Sequence, residues 1–189
     1  MKYELIKTDT IKSWDGRTLY RIKRIENGEL GGYIESEKNL DQSGEAWVFG
    51  KAQVFGEARV SGEALVFGEA QVFGEAWVSG EARVFGDARV SGEAQVSGDA
   101  RVSGEAQVSG EARVASTEFY LTVGPIGSRN GTLTATINKD NGIDILAGCW
   151  FGSLKDFTAR VKEVHGKNKH GKSYMAAIEL IKQQLGKLK

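Results

Sequence analysis

One short run gathers the residue types that hold an anion: Gly127-Ser128-Arg129-Asn130-Gly131-Thr132. Glycines let backbone amides turn toward a ligand, Ser128 and Thr132 bring hydroxyls, Asn130 an amide and Arg129 a guanidinium. Ser153 opens a predicted helix, whose free N–H groups favour negative charge. Together these residues are candidates to cradle a phosphate or a small nucleotide. The same run also reads as a hairpin loop made of residues suited to turns, and it matches neither a Walker loop nor a dinucleotide fingerprint. The residue types fit both readings.

A second group, Lys162, Lys167, Lys169, His170 and Lys172, makes a basic surface near a helix junction. Most clusters of this kind are solvated loops, and little aromatic surface is interleaved to stack bases, so nucleic acid is the lesser expectation. Cys149 and His165 could pair as nucleophile and base. A lone cysteine at a strand end, however, is expected to be a small buried hydrophobe. No catalytic residue, metal site or cofactor is expected.

The elements that must position these residues begin after Val114. "EFYLTV", "TLTATIN" and "IDILAGC" read as three strands joined at "GPIGSRNG" and "KDNG". Two helices follow. Ser153 with Asp156 resembles a capping box, Gly166 ends the first helix, and Leu154, Phe157, Val161 and Val164 form its apolar stripe. The second helix is expected from Ser173 to Gly186.

Before this tail, Ala-x-Val recurs every six residues from Ala46 to Val114, twelve times without a break. A six-residue period fits no α-helix, and interior glycines cost about 1 kcal/mol each against Ala there. It fits short strands separated by tight corners, with Ala and Val on one side of the strand. The pattern resembles the hexapeptide-repeat family, which implies a left-handed parallel β-helix of about four coils, three hexads to a coil, over residues 44–115.

In that register, residues 18 apart stack. Phe49, Phe67 and Phe85 then share one column, Phe55 and Phe73 another, while Trp47 and Leu65 stand on the face of the first, followed by Arg83 and Arg101. Soluble monomers rarely leave a large apolar patch open. These seven residues, Trp47, Phe49, Leu65, Phe67, Phe85, Phe55 and Phe73, are therefore candidates for a subunit interface and a homo-oligomer; covering by the chain itself is the alternative. The corner acids, such as Glu57, Glu75, Glu93 and Glu111, are expected to be a solvated surface.

Residues 1–43 read as an N-terminal β cap, with strands near Tyr3–Thr8 and Thr18–Ile25 and a turn at Asp15-Gly16, because an open solenoid end invites further stacking. Residues 116–189 are the α+β domain. Over 189 residues the formal charge is zero, but residues 1–40 carry +1, 41–114 carry −6 and 115–189 carry +5. A single cysteine and the lack of a signal or long apolar run lead us to expect a cytoplasmic protein with no membrane contact.

Many hexapeptide-repeat proteins are acyltransferases that use a histidine near the coils. Here His165 and His170 both lie outside the repeat, so that activity is kept as the alternative. The start, "RTLYRIK…GELGGYIESEKNL", and the tail, with "GSRN", Gly148-Cys149-Trp150, Gly152, Leu154, Phe157 and His165-Gly166, resemble phage and prophage hexapeptide-repeat proteins. The first expectation is a non-enzymatic binding protein whose solenoid is a rigid, oligomerising scaffold displaying the tail; the resemblance implies a phage-derived protein that acts on a host defence protein or a nucleotide.

Overall fold

Each hexad forms one two-residue strand and one glycine corner. In the computed structural model, which describes residues 1–188, twelve such strands run from β4 (Trp47–Val48) to β15 (Arg113–Val114). Every third strand pairs in parallel with residues in register 18 apart, as Val66, Val84 and Val102 do on one face. The alanines and valines of the repeat, from Ala46 to Val114, are at most 1% exposed and form one continuous core. Ile34 and Leu40 stand beside Val54 and Val60, adding an incomplete turn, so the parallel β-solenoid has about five turns.

The corners require glycine for two reasons. Gly86 has φ +71°, where an L side chain is strained, and a Cβ on it would lie 3.0 Å from the amide nitrogen of Gly104 in the next coil. Coils at strand spacing leave no room for that atom.

The ladder is polar. The N–H groups of each coil donate to carbonyls of the next, as Gln71 does to Ala88 at 2.9 Å and Phe73 to Val90 at 3.0 Å. Bare carbonyls therefore remain at the first coil and bare N–H groups at the last, and each end needs the opposite chemistry. At the first coil, Asn39 Nδ2 donates to the carbonyls of Gly56 and Ala58, both at 2.9 Å, and Lys2 Nζ donates to that of Ala46 at 2.8 Å. At the last, Thr117 Oγ1 accepts from Arg101 N–H and Thr134 Oγ1 from Gln107 N–H, both at 3.0 Å.

The N-terminal segment does more than close the end. Strands β1 (Tyr3–Lys12), β2 (Thr18–Arg24) and β3 (Leu30–Ile34) extend one solenoid face into a seven-stranded sheet. Leu19 and Ile11 from this hairpin pack with Phe55 and Phe73, and Trp14 meets Phe73 edge-on.

The tail is a four-stranded antiparallel sheet with two helices, one strand more than the sequence suggested. Strands β16 (Tyr120–Ile126), β17 (Gly131–Ile137), β18 (Ile143–Ala147) and β19 (Trp150–Ser153) lie in chain order, with helices α1 (Leu154–His165) and α2 (Lys169–Leu185) against them. The extra strand arises because the chain turns at Gly148-Cys149, with Gly148 at φ +63°, and pairs back on β18. Helix α2 starts at Lys169 rather than Ser173, because Asn168 Oδ1 accepts from the N–H groups of His170 and Gly171, both at 2.9 Å.

Strand β17 joins the two bodies. Leu133, Ala135 and Ile137 face the core formed with Phe157, Val161, Ile178 and Ile181, while the buried Thr134 and Thr136 occupy the alternate positions. Among the described residues no helix is long and apolar enough to cross a membrane.

Candidate functional site

One concavity of the tail lies between the β16–β17 hairpin tip, the β18–β19 turn and α1. It encloses about 270 Å³. Ser128 and Arg129 reach it from the tip, Cys149 and Trp150 from the second turn, and Phe157, Arg160, Val164 and His165 from α1; Tyr174 of α2 completes the wall.

Local sequence explains how the tip is held. Gly127 is buried at φ +78°, which strains an L side chain, and a Cβ there would sit 2.1 Å from the Tyr174 hydroxyl, so any larger residue would have to displace the Tyr174 ring. Asn130 adopts φ +48° and its N–H donates to the Gly127 carbonyl at 3.4 Å, which turns the chain back into β17. The wall behind is aromatic. Trp150 and Phe157 have ring centroids 5.2 Å apart, Phe157 meets Tyr174 edge-on at 5.5 Å, and Tyr174 lies 5.4 Å from His165.

The charge balance of this cavity favours an anion. Arg129 and Arg160 come from two different elements, and no aspartate or glutamate lines the space among the described residues. Neither guanidinium is engaged in an ion pair among the described residues. Two guanidinium groups without an ion-pair partner among the described residues, beside an aromatic wall, can bind a phosphate or carboxylate bidentately.

Of the anion-binding residues expected from sequence, the structure brings Ser128, Arg129 and Thr132 to this cavity and separates the other two from it. Asn130 serves the turn. Ser153 caps α1 itself, its Oγ accepting from Asp156 N–H at 3.1 Å and donating to Asp156 Oδ2 at 2.7 Å. The cavity meets α1 along its middle and C-terminal half, so a joint cradle with Ser153 does not form. Thr132 is also partly committed, since its hydroxyl donates to Glu105 Oε2 of the solenoid at 2.7 Å.

Cys149 is exposed at the rim rather than buried, because it occupies the β18–β19 turn. Val164, assigned to the apolar stripe of α1, is 57% exposed and lines the mouth, while Phe157 and Val161 are buried as a stripe requires. Sequence reasoning missed Trp150, Arg160, His165 and Tyr174 as parts of one site. The i, i+4 relation of Arg160 and Val164 on α1 was a usable signal; contact with Tyr174 across two helices was not.

The basic residues Lys167, Lys169 and Lys172 are exposed around the α1–α2 junction. His170 is half-buried with its ring 6.0 Å from that of His165. Lys162 turns to a separate open hollow with Lys155 and Lys182. These residues do not form a single patch with the cavity.

The aromatic interface candidates divide. Trp47 is fully buried beneath Tyr3 and Arg24, whose guanidinium lies 4.3 Å from the ring centroid, and Phe55 is 1% exposed under the N-terminal hairpin. Phe73 is half-buried by the same hairpin and stacks on Phe55 at 5.2 Å. These three are thus covered within the chain, because the cap folds over their faces. Phe67 and Phe85 stack at 4.8 Å with 1° between planes and remain half-buried outside every core cluster; Phe49 and Leu65 lean on the solenoid core beside them. Trp77, on a third face, is 52% exposed over Arg59. The corner acids include local pairs, and Lys38 beside Glu57 holds that carboxyl below its usual range.

The fold and its repeats make this chain a β-solenoid repeat protein. A family model described as a YdcK beta solenoid repeat matches residues 94–110, within the last two coils. No curated protein matches the chain.

Proposed function

We propose that this is a non-enzymatic binding protein in which the solenoid is a rigid scaffold joining copies and the tail is the binding module. The observation that carries the reading is the tail cavity with an aromatic wall and two guanidinium groups that, among the described residues, have no ion-pair partner and no lining carboxylate beside them. Such a site recognises a small anion of the nucleotide class; a host protein presenting an anionic group is the other target of the same chemistry. The resemblance of both chain ends to phage and prophage proteins supports a phage-derived origin and action in the host cytoplasm, against a defence protein or its nucleotide. The acyltransferase alternative needs a base beside the coils, and both histidines belong to the tail.

Affinity capture from bacterial lysate, with mass spectrometry of the small-molecule and protein fractions, tests the module. Wild type is expected to retain an anionic species that Arg129→Ala/Arg160→Ala loses; identical fractions from both would refute the reading. The scaffold half rests on the Phe67–Phe85 stack. Light scattering is expected to give a multimer for wild type and a smaller mass for Phe67→Ser/Phe85→Ser, whereas a monomer in both removes self-association.

A further inference from the structure

Resting on the cavity reading above, we propose that its ligand is a single nucleoside monophosphate, a planar base joined to one phosphate, rather than a free inorganic anion or a dinucleotide. Three observations converge on that class.

The first is size. About 270 Å³ lies just below the roughly 300–1,000 Å³ typical of small-molecule sites. One nucleotide-sized molecule fits such a space when part of it remains at the mouth, whereas two linked nucleotides exceed it.

The second is the division of the walls. Trp150, Phe157, Tyr174 and His165 form a connected run of rings, with centroid separations of 5.2, 5.5 and 5.4 Å. Trp150, Tyr174 and His165 are half-buried, leaving ring surface to a ligand, while Phe157 is buried behind them. A planar heterocycle gains by stacking on such a surface, by about 1–3 kcal/mol for a base on an aromatic side chain. Inorganic phosphate would leave this surface unused.

The third is the placement of charge. Arg129 and Arg160 are both exposed, so the cationic groups stand at the mouth and the rings line the interior. A ligand with an apolar planar end and a doubly charged end matches that gradient. Ser128 adds a hydroxyl on the charged side. Arginine suits this position because its fork binds two phosphate oxygens at once.

Isothermal titration of the full chain tests the class, using adenosine and guanosine monophosphates, adenosine, inorganic phosphate and a cyclic dinucleotide. Wild type, Arg129→Ala, Arg160→Ala and Trp150→Leu are compared after thermal melts confirm that each variant folds. The expected result is 1:1 binding of a monophosphate at least tenfold tighter than adenosine or phosphate, weakened tenfold or more by either arginine change. Trp150→Leu should weaken the monophosphate and leave any weak binding of phosphate unchanged. Equal affinity for adenosine and its monophosphate overturns the proposal, as does tighter binding of phosphate alone or of the cyclic dinucleotide. Arginine-dependent binding of one of those other anions would overturn this ligand class and leave the cavity reading standing. No heat from any compound, with captured material independent of both arginines, would overturn both.

Discussion

Gly127 packs its α-carbon against the Tyr174 hydroxyl so closely that a β-carbon would stand 2.1 Å from the phenolic oxygen. This contact fastens the tip that carries Ser128 and Arg129 to α2, and so fixes the cavity mouth. Gly127→Ala is expected to lose about 2 kcal/mol, from strain at φ +78° and from the clash. Gly131→Ala, four residues on with nothing within 4 Å of the new atom, should leave stability nearly unchanged. Urea denaturation of the two variants compares them directly; equal losses would mean that Tyr174 does not clamp the tip.

Coil stacking makes a similar paired prediction in the solenoid. Gly86 and Gly104 share a column and have φ of +71° and +63°, but only Gly86 has another coil above it; Gly104 has nothing within 4 Å. Both alanine variants therefore bear the left-handed strain of about 1 kcal/mol, and Gly86→Ala bears a steric cost in addition. Thermal melts should show the larger drop for Gly86→Ala.

The last coil presents N–H groups that need acceptors, and Thr134 supplies one. Thr134→Val keeps the shape of the side chain but leaves Gln107 N–H without its partner, at a cost of about 1–3 kcal/mol. Thr134→Ser should recover most of that loss. If valine is as stable as threonine in urea melts, the hydroxyl does not cap the ladder.

Asp144 gives a pH signature. Burial raises its pKa above the ordinary carboxylate value, the hydrogen bond from Asn138 Nδ2 at 3.1 Å lowers it, and Glu111 and Asp140 add to the rise. A carboxyl whose folded pKa is raised stabilises the fold below its unfolded pKa, and that contribution is lost as pH rises through the folded value. At neutral pH the ionised group is a burden, which Asp144→Asn removes while keeping an acceptor for Asn138. Because the group is half-exposed, the gain should be only a few tenths of a kcal/mol. It should vanish as the pH falls below about 4; melts of both proteins across pH 3–7 would reveal a gain that persists in acid and so contradicts this assignment.

The repeat made the solenoid legible because its physics is local. Each Gly, Ala and Val acts within its own hexad, so the inward Ala and Val positions follow from spacing, while the 18-residue register rested on the resemblance to the hexapeptide-repeat family. Ser153 as a cap and Phe157 and Val161 as a buried stripe were readable for the same reason. What could not be read was how elements meet. Trp47 and Phe55 read equally as a subunit interface or as residues covered by the chain, because nothing in the hexads signals that Arg24, Tyr3 and Leu19 fold over them. Cys149 looked buried because the reversal into β19 depends on pairing with β18. Arg129 was singled out from its neighbours in sequence, but Arg160, His165 and Tyr174 join it only through the packing of α1 and α2 against the sheet.

Hydrogen–deuterium exchange of the full chain with and without saturating nucleoside monophosphate tests the central claim most directly, since it reports where a ligand acts as well as whether it binds. Binding in the tail cavity should slow exchange in residues 126–132 and 148–165 and leave the hexads from Ala46 to Val96 unchanged. Slowed exchange along the coils, with the tail unaffected, would contradict the assignment of the tail as the binding module.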